Sequence, residues 1–191
     1  MKISGGTAKG RTIGVPEGLD TRPPLSRTRQ MLFSILGEKV EGATVLDLFS
    51  GCGSLGLEAL SHGAAQVVFV EKNIRAVETL RRNIETLEFT ARTFLARHNA
   101  LGIFNCKPVE EHAPYDLAFI DPPYPLLREP QGLRRFESLM HRLSLGALLC
   151  NDATVIFRHE TRAVEPESLG GWEVLRVRPF GKAQWTILGK R

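Results

Sequence analysis

The residues with the clearest chemical potential are Asp121, Pro122, Pro123 and Tyr124, which follow one another directly after an apolar segment. Adjacent prolines prevent a β-ladder and a continued helix, so a stiff loop is predicted where the strand at residues 115–120 ends. This loop offers a carboxylate, an aromatic ring and backbone carbonyl groups. An exocyclic amino group on a base could donate to these oxygens while the ring stacks on the base.

A second candidate site is the glycine-rich segment that follows the first predicted strand, residues 44–49. Gly51, Gly53 and Gly56 fit the G-x-G-x-x-G pattern of nucleotide-binding loops in α/β folds. Glu71 ends the next predicted strand, where a carboxylate can accept hydrogen bonds from ribose hydroxyls. NAD enzymes and S-adenosylmethionine (SAM) methyltransferases both use this geometry, so the pattern alone does not choose between them.

Asp47, four residues before Gly51, favours SAM over NAD. A carboxylate here would repel a pyrophosphate, whereas it would attract the amino group and the sulfonium of SAM. A NAD-binding oxidoreductase remains the alternative from another class of function. Gly56 is expected to allow close packing of helix on strand, and Cys52 to fill a small space.

The segments that must position these residues alternate between strand and helix. Helices are predicted at residues 55–62, after an N-cap at Asn73, and at residues 132–143. Strands are predicted at residues 44–49, 66–71, 92–97, 115–120, 153–159, 172–177 and 184–188. Repeated βα units predict an α/β fold with a mostly parallel sheet, helices on both faces and an antiparallel finish.

Residues 1–40 form a different segment, which we interpret as an N-terminal extension before an α/β domain at residues 41–191. Residues 2–15 are glycine-rich and predict a small hairpin. A linker at residues 19–25 follows, and Ser26 is expected to begin a helix with an apolar stripe.

The chain has 191 residues, of which 42% are hydrophobic, and a net charge of +4. This composition is ordinary for a globular protein. No apolar run reaches the length of a membrane helix. The three cysteines are far apart and the five histidines lack ligand spacing, so a reduced, cytoplasmic protein without a metal is expected. Lys and Arg are in excess in residues 1–30 and 172–191, which suits a polyanion, although basic ends are often simply solvated.

Together, the loop from Asp47 to Gly53, the carboxylate of Glu71 and the Asp-Pro-Pro-Tyr loop resemble a class I amino-methyltransferase. Two longer patterns narrow the resemblance to the bacterial 16S rRNA guanine-N2 methyltransferase family. These patterns are Arg22-Pro23-(x)3-Arg27-x-Arg29-(x)2-Leu32-Phe33 and the stretch at residues 46–61. The resemblance implies a seven-stranded Rossmann-like fold, SAM as cofactor, S-adenosylhomocysteine as product and the small ribosomal subunit as partner. No membrane partner is expected, and a monomer is the simpler expectation because the sequence does not reveal the oligomeric state.

The predicted sites follow from this resemblance and from the charge distribution. The cofactor site is assigned to Asp47, Phe49, Gly51, Gly53, Glu71, Lys72, Asn99 and Ala100. Binding of the target base is assigned to Asp121, Pro122 and Tyr124. Contacts with the RNA backbone are assigned to Lys9, Arg11, Arg22, Arg27 and Arg29. Alternatively, the N-terminal helix covers the SAM pocket, and Arg27 and Arg29 are structural.

Other functions fit the same loop less well. An adenine-N6 methyltransferase on RNA or DNA is the closest alternative, because the loop suits any planar amino group. A cytosine-C5 enzyme needs a cysteine directly after proline, and this sequence has none. A protein-glutamine methyltransferase would favour Asn where Asp121 stands, and a catalytically inactive RNA-binding scaffold would need none of this chemistry.

Overall fold

A seven-stranded sheet is the centre of the computed structural model, in which residues 1–16, 26–161 and 171–190 are described. The order is β3-β2-β1-β4-β5-β7-β6; the strands from β3 to β5 are parallel, and β7 is antiparallel to β5 and β6. The bounds are β1 (Thr44–Leu48), β2 (Gln66–Val70), β3 (Thr93–Ala96), β4 (Tyr115–Ile120), β5 (Leu149–Glu160), β6 (Trp172–Phe180) and β7 (Ala183–Lys190). The predicted sheet is confirmed.

Helices cover both faces of this sheet, as predicted. On one face α1–α3 pack in a single apolar cluster, and on the other α4–α6 pack in a second cluster. The bounds are α1 (Ser26–Leu36), α2 (Gly56–Ser61), α3 (Ile74–Leu87), α4 (Lys107–Glu111), α5 (Tyr124–Arg128) and α6 (Pro130–Leu145). The central strands β1, β2 and β4 are mostly apolar because both faces of the sheet are covered there, although β1 carries the buried Asp47 and β4 carries Asp116. In the described ranges, none of the helices is long and apolar enough to cross a membrane.

The strand order reverses between β1 and β4. From β1 the chain builds outward through β2 and β3, and it then returns to place β4 on the other side of β1. The segments after β1 and β4 are therefore neighbours, and the amide of Asp121 donates to the carbonyl of Leu48 at 3.4 Å. Open α/β sheets bind their ligands at this position.

The Asp-Pro-Pro-Tyr segment differs from the predicted loop, because a short helix begins within it. Helix α5 begins at Tyr124 with Pro125 in its first turn, and the amide of Leu126 donates to the carbonyl of Pro123 at 2.9 Å. Amides of the first helical turn have no partner inside the helix, so proline loses nothing there. The prolines end the strand as expected, but they also start a helix.

The predicted N-terminal hairpin is present as a single antiparallel bridge between Lys2 and Thr12. Ile3, Ala8 and Ile13 are buried in the same apolar cluster as α1–α3. The N-terminal residues therefore complete the core on this face, and the division at residue 40 remains a prediction. The predicted linker at residues 19–25 lies outside the described residues.

Glu58 on α2 fixes this N-terminal segment. Its Oε1 accepts hydrogen bonds from the amide of Ser4 at 2.8 Å, the Ser4 hydroxyl at 2.6 Å and the amide of Gly5 at 2.8 Å. Arg29 Nε donates to Oε2 at 3.3 Å, and both side chains are fully buried. Burial makes Arg29 structural, so the prediction that it contacts the RNA backbone is wrong and its alternative role in packing applies.

Replacing Glu58 with Ala should destabilise the protein by about 3–5 kcal/mol, because a buried guanidinium and two backbone amides lose their partner. Urea unfolding measures this loss. The exposed Glu85 of α3 provides the matched control, since Glu85→Ala should change stability by about 0.5 kcal/mol or less. Equal effects of the two substitutions would contradict this account.

Candidate active site

A cavity of about 470 Å³ lies where β1, β2, β3 and β4 end. Residues from both candidate loops line it. Of the predicted cofactor and base residues, those that reach it are Phe49, Gly51, Glu71, Lys72, Ala100, Asp121, Pro122 and Tyr124. Two sites that were argued separately from the sequence are therefore parts of one site.

The glycine-rich turn after β1 is held in a sharply folded conformation. Phe49 and Gly53 both have positive φ, at 59° and 81°. A Cβ atom at Gly53 would lie 2.3 Å from Leu80 Cδ1, and one at Gly56 would lie 2.3 Å from the Phe69 ring. Gly53 thus meets a conformational and a steric requirement, and Gly56 allows the close helix–strand packing that was predicted.

Glu71 joins this turn to the segment after β2. Its Oε2 accepts a hydrogen bond from the amide of Gly51 at 2.9 Å, and its Oε1 accepts one from the amide of Asn73 at 2.8 Å. Each oxygen keeps a second lone pair. The carboxylate is therefore fixed at the cavity and can accept hydrogen bonds from ribose hydroxyls.

Asp47 supports the turn from beneath and does not line the cavity. It is 1% exposed, and its Oδ2 accepts a hydrogen bond from the amide of Gly56 at 2.9 Å. Burial raises the pKa of Asp47 to about 8, the Gly56 amide opposes this rise, and the charges of Asp121 and Glu71 add to it. Gly53 also lies outside the lining.

The segment after β3 brings a different residue to the cavity from the one predicted. Asn99 lies outside the lining, and its Oδ1 accepts a hydrogen bond from the amide of Leu101 at 3.1 Å at the start of a 3₁₀ helix. Ala100 lines the cavity as expected, and so does His98, which was not predicted. Asn99 thus orients the segment that carries its neighbours.

Arg158 is the main addition that the structure makes to the site. Its Nη1 donates to Asp121 Oδ2 at 2.8 Å, and its Nη2 donates to the Tyr124 hydroxyl at 3.3 Å. Burial raises the pKa of Asp121, and the charge and hydrogen bond of Arg158 oppose that rise. The signal in the sequence was a charged residue directly after the apolar run at residues 153–157.

Cys52 contributes a buried thiol to this region. Cys52 lines the cavity, and burial raises the pKa of its thiol to about 11. A thiol with such a pKa is not a good nucleophile, which agrees with the predicted role in filling space. Across the part of the chain that the structure describes, no group of three or more His, Cys, Asp and Glu side chains could hold a metal ion.

The basic residues proposed to contact RNA occupy different places. Arg27 is exposed on the first turn of α1. The guanidinium of Arg11 donates to the carbonyl of Leu87 at 3.4 Å and pairs with Glu88 at 3.2 Å, at the end of α3. Exposed Lys9 follows Ala8, whose amide donates to Ser61 Oγ at 2.9 Å, at the end of α2.

Helices α2 and α3 run antiparallel to the parallel strands. Their last turns therefore lie at the amino-terminal ends of these strands, and the cavity lies at the carboxyl ends. Lys9 and Arg11 are therefore separated from the site. Arg22 lies outside the described ranges.

A cavity with carboxylates at its glycine turn and an Asp–Tyr pair opposite fits a cationic donor facing a planar amino group. This is the arrangement of a SAM-dependent methyltransferase, and comparison with known proteins agrees. The chain belongs to the family described as Conserved hypothetical protein 95, whose model matches residues 1–189.

Relatives support the same class. Ribosomal RNA small subunit methyltransferase D of Escherichia coli K12 is 28% identical over 98% of this chain and 88% of that protein. The Bacillus subtilis protein named "Putative rRNA methyltransferase YlbH" is 29% identical over 100% of both chains. The solved structure described as "Putative methyltransferase yhhF from Escherichia coli" has a TM-score of 0.82 and 28% identity, covering 100% of this chain and 98% of that one. The predicted family, fold, enzyme class and SAM cofactor are confirmed.

The buried acid Asp47 should make stability depend on pH. Its folded pKa of about 8 lies above the ordinary value of 3.8. The folded chain therefore binds more protons than the unfolded chain between these values, and the stability that Asp47 contributes is lost as pH rises through this window. Asp47→Asn should become progressively more stable relative to wild type over this range, as measured by urea unfolding at several pH values.

Asp152→Asn is the matched control for this test, since Asp152 is exposed. Its stability should follow the wild-type curve at every pH. A difference between Asp47→Asn and wild type that does not vary with pH would contradict the burial argument.

Proposed function

We propose that this chain transfers the methyl group of SAM to the exocyclic N2 amine of a guanine in small-subunit ribosomal RNA. The observation that carries the proposal is that Asp121 and Tyr124 line the same cavity as the glycine turn. The name of the Escherichia coli relative supports the choice of RNA. We also propose that the protein acts as a monomer in the cytoplasm.

The cofactor half of the cavity would hold SAM through the residues that follow β1, β2 and β3. When bound, SAM supplies a methyl group on a positively charged sulfur. Glu71 would accept hydrogen bonds from the ribose, and Ala100 would pack against the adenine. Phe49 and Gly51 would border the methionine part, and the positive charge of bound SAM would favour the ionised form of Asp47 beneath it. We propose that Lys72 borders the same site.

The acceptor half would orient the amino group. Guanine N2 is a weak nucleophile because its lone pair is delocalised into the ring, so alignment with the methyl group is the main requirement. Asp121 and the carbonyl of Pro122 would accept the two N2 hydrogens and stabilise the positive charge that develops on nitrogen. Tyr124 would stack on the base. A base in a duplex could not enter, so an unpaired or flipped guanine is required.

Guanine suits this acceptor better than adenine does. Guanine carries the N1–H donor beside its N2 amino group, so one carboxylate can accept hydrogen bonds from both. Adenine presents the N1 lone pair beside its N6 amino group, and that lone pair would face the Asp121 carboxylate. The resulting repulsion disfavours adenine at the same position.

Labelled SAM tests the reaction most directly. The protein is incubated with small ribosomal subunits from a strain that lacks the enzyme, and the RNA is then digested to nucleosides. The expected product is labelled N2-methylguanosine. Labelled N6-methyladenosine would favour the adenine alternative, and the absence of label in RNA would contradict the proposal.

Asp121→Asn should lower turnover by about 100-fold or more, because the amino group loses its charged acceptor in the transition state. SAM affinity should stay close to wild type, since Asp121 belongs to the acceptor half. Single-turnover methylation and calorimetric SAM binding measure the two effects. Asp152→Asn, at an exposed site, is the control, and normal turnover in Asp121→Asn would refute the role of Asp121.

We propose that Arg27, and Arg178 on the edge strand β6, contact the RNA backbone closest to the target base. Arg178 is exposed and pairs in register with Trp185 of β7, which pairs in turn with Arg158 of β5. These pairs place Arg178 on the same sheet face as Arg158 and at the level of the cavity. Lys9 and Arg11 lie near the amino-terminal ends of the parallel strands, away from the cavity, so they could contact only RNA more distant from the target base.

Charge reversal at both Arg27 and Arg178 should reduce the slope of log affinity against log salt by about two, because two phosphate contacts are lost. RNA binding measured over a range of salt concentrations gives this slope. Lys107→Glu is the control, since Lys107 lies on α4 at the opposite edge and its side chain is 82% exposed. An unchanged slope in the double variant would indicate that these arginines are only solvated.

A further inference from the structure

We propose that Arg158 is a positioning residue that orients Asp121 and Tyr124 together for the target base through an ion pair with the carboxylate and a hydrogen bond to the phenol. This inference rests on the proposed function, because it concerns the same acceptor half of the cavity. Arg158 would act through Asp121 and Tyr124, so it is distinct from the residues that touch the base.

The geometry shows one guanidinium bridging both base-facing side chains. Nη1 of Arg158 lies 2.8 Å from Asp121 Oδ2, and Nη2 lies 3.3 Å from the Tyr124 hydroxyl. A guanidinium is planar and its donors are fixed in a fork, so these two contacts set the carboxylate and the phenol relative to each other. A lysine, with one nitrogen on a flexible stem, would not fix both.

The sheet holds Arg158 in place. Phe157 pairs with Ile120 in the parallel register of β5 and β4, so Arg158 is level with Asp121 at the strand ends. On its other side Arg158 pairs with Trp185 of β7, and its guanidinium carbon lies 5.9 Å from the Trp185 ring. The side chain is 11% exposed. A group anchored on a strand positions its partners more firmly than one on a loop.

Asp121 lies in an acidic part of the cavity. Its charge and that of Glu71, after β2, help to raise the pKa of the buried Asp47 on β1. Tyr124 of α5 contributes a phenol to the cavity, and Lys72 and His98 also line it. Burial raises the pKa of Asp121, and Arg158 opposes the rise. A protonated Asp121 would present a hydroxyl donor to an amino group that itself donates. Loss of Arg158 should therefore raise the pKa of Asp121, and protonation would leave only a neutral carbonyl oxygen as the acceptor.

The pH profile of methyl transfer tests this role. In Arg158→Gln the acid limb of kcat/KM should move to higher pH, with a loss of roughly tenfold or more at neutral pH that is recovered in alkaline buffer. Arg128→Gln is the control: it breaks a nearby Arg–carboxylate pair, with Glu160 at 2.6 Å, outside the cavity lining. Its profile should match wild type. A profile in Arg158→Gln that is lowered equally at every pH would overturn the proposal.

Arg158→Lys separates the effect of the positive charge beside Asp121 from the effect of the two-donor bridge to Asp121 and Tyr124. It tests the positioning role even if Arg158→Gln does not fold. The positive charge is kept, so the acid limb should remain close to wild type. The bridge to Tyr124 is lost, so kcat should fall. A wild-type kcat in Arg158→Lys would overturn the positioning role.

Carboxyl NMR of Asp121 in the free protein provides a readout that needs no RNA. The titration of Asp121 should move to higher pH in Arg158→Gln and stay in place in Arg128→Gln. An unmoved titration in Arg158→Gln would overturn the inference. A wild-type protein that methylates no RNA would instead overturn the proposed function, and the carboxyl titration would then decide the role of Arg158 by itself.

Discussion

The reversal of strand order between β1 and β4 is the constraint on which the site depends. Because β2 and β3 lie on one side of β1 and β4 lies on the other, the segments after β1 and β4 must meet. Both segments are stiff: one turns through Gly53 in a conformation that glycine favours, and the other carries consecutive prolines. The two halves of the cavity are therefore held facing each other by the sheet itself.

Bringing these segments together places three acidic side chains near one another. Each of these carboxyl groups has a different stabilising partner. Glu71 accepts two backbone amides, and Asp121 is paired with Arg158. Asp47 accepts one amide, and its pKa is raised to about 8 by burial, with the charges of Asp121 and Glu71 adding to the rise. Perturbed groups of this kind are common at functional sites, where a ligand of opposite charge completes the balance. A sulfonium cofactor is such a ligand.

Local patterns predicted most of the fold and much of the site. Apolar runs indicated the strands, Asn73 capped α3 as expected, and the glycines and prolines marked both cavity loops. The pairs of side chains that were missed join distant parts of the chain: Arg29 to Glu58, 29 residues apart, and Arg158 to Asp121, 37 residues apart. Spacing within a segment carries no information on such pairs, because only the tertiary fold brings them together. For this reason Arg29 was predicted to be an RNA contact and Arg158 was not predicted at all.

The most direct test of the central claim is a crystal structure of the protein with S-adenosylhomocysteine and a guanosine-containing RNA loop. We predict that the sulfur lies beside the glycine turn, with N2 of an unstacked guanine between this sulfur and the Asp121 carboxylate. A base that stacks elsewhere, or a sulfur on the far side of the cavity from Asp121, would contradict the account.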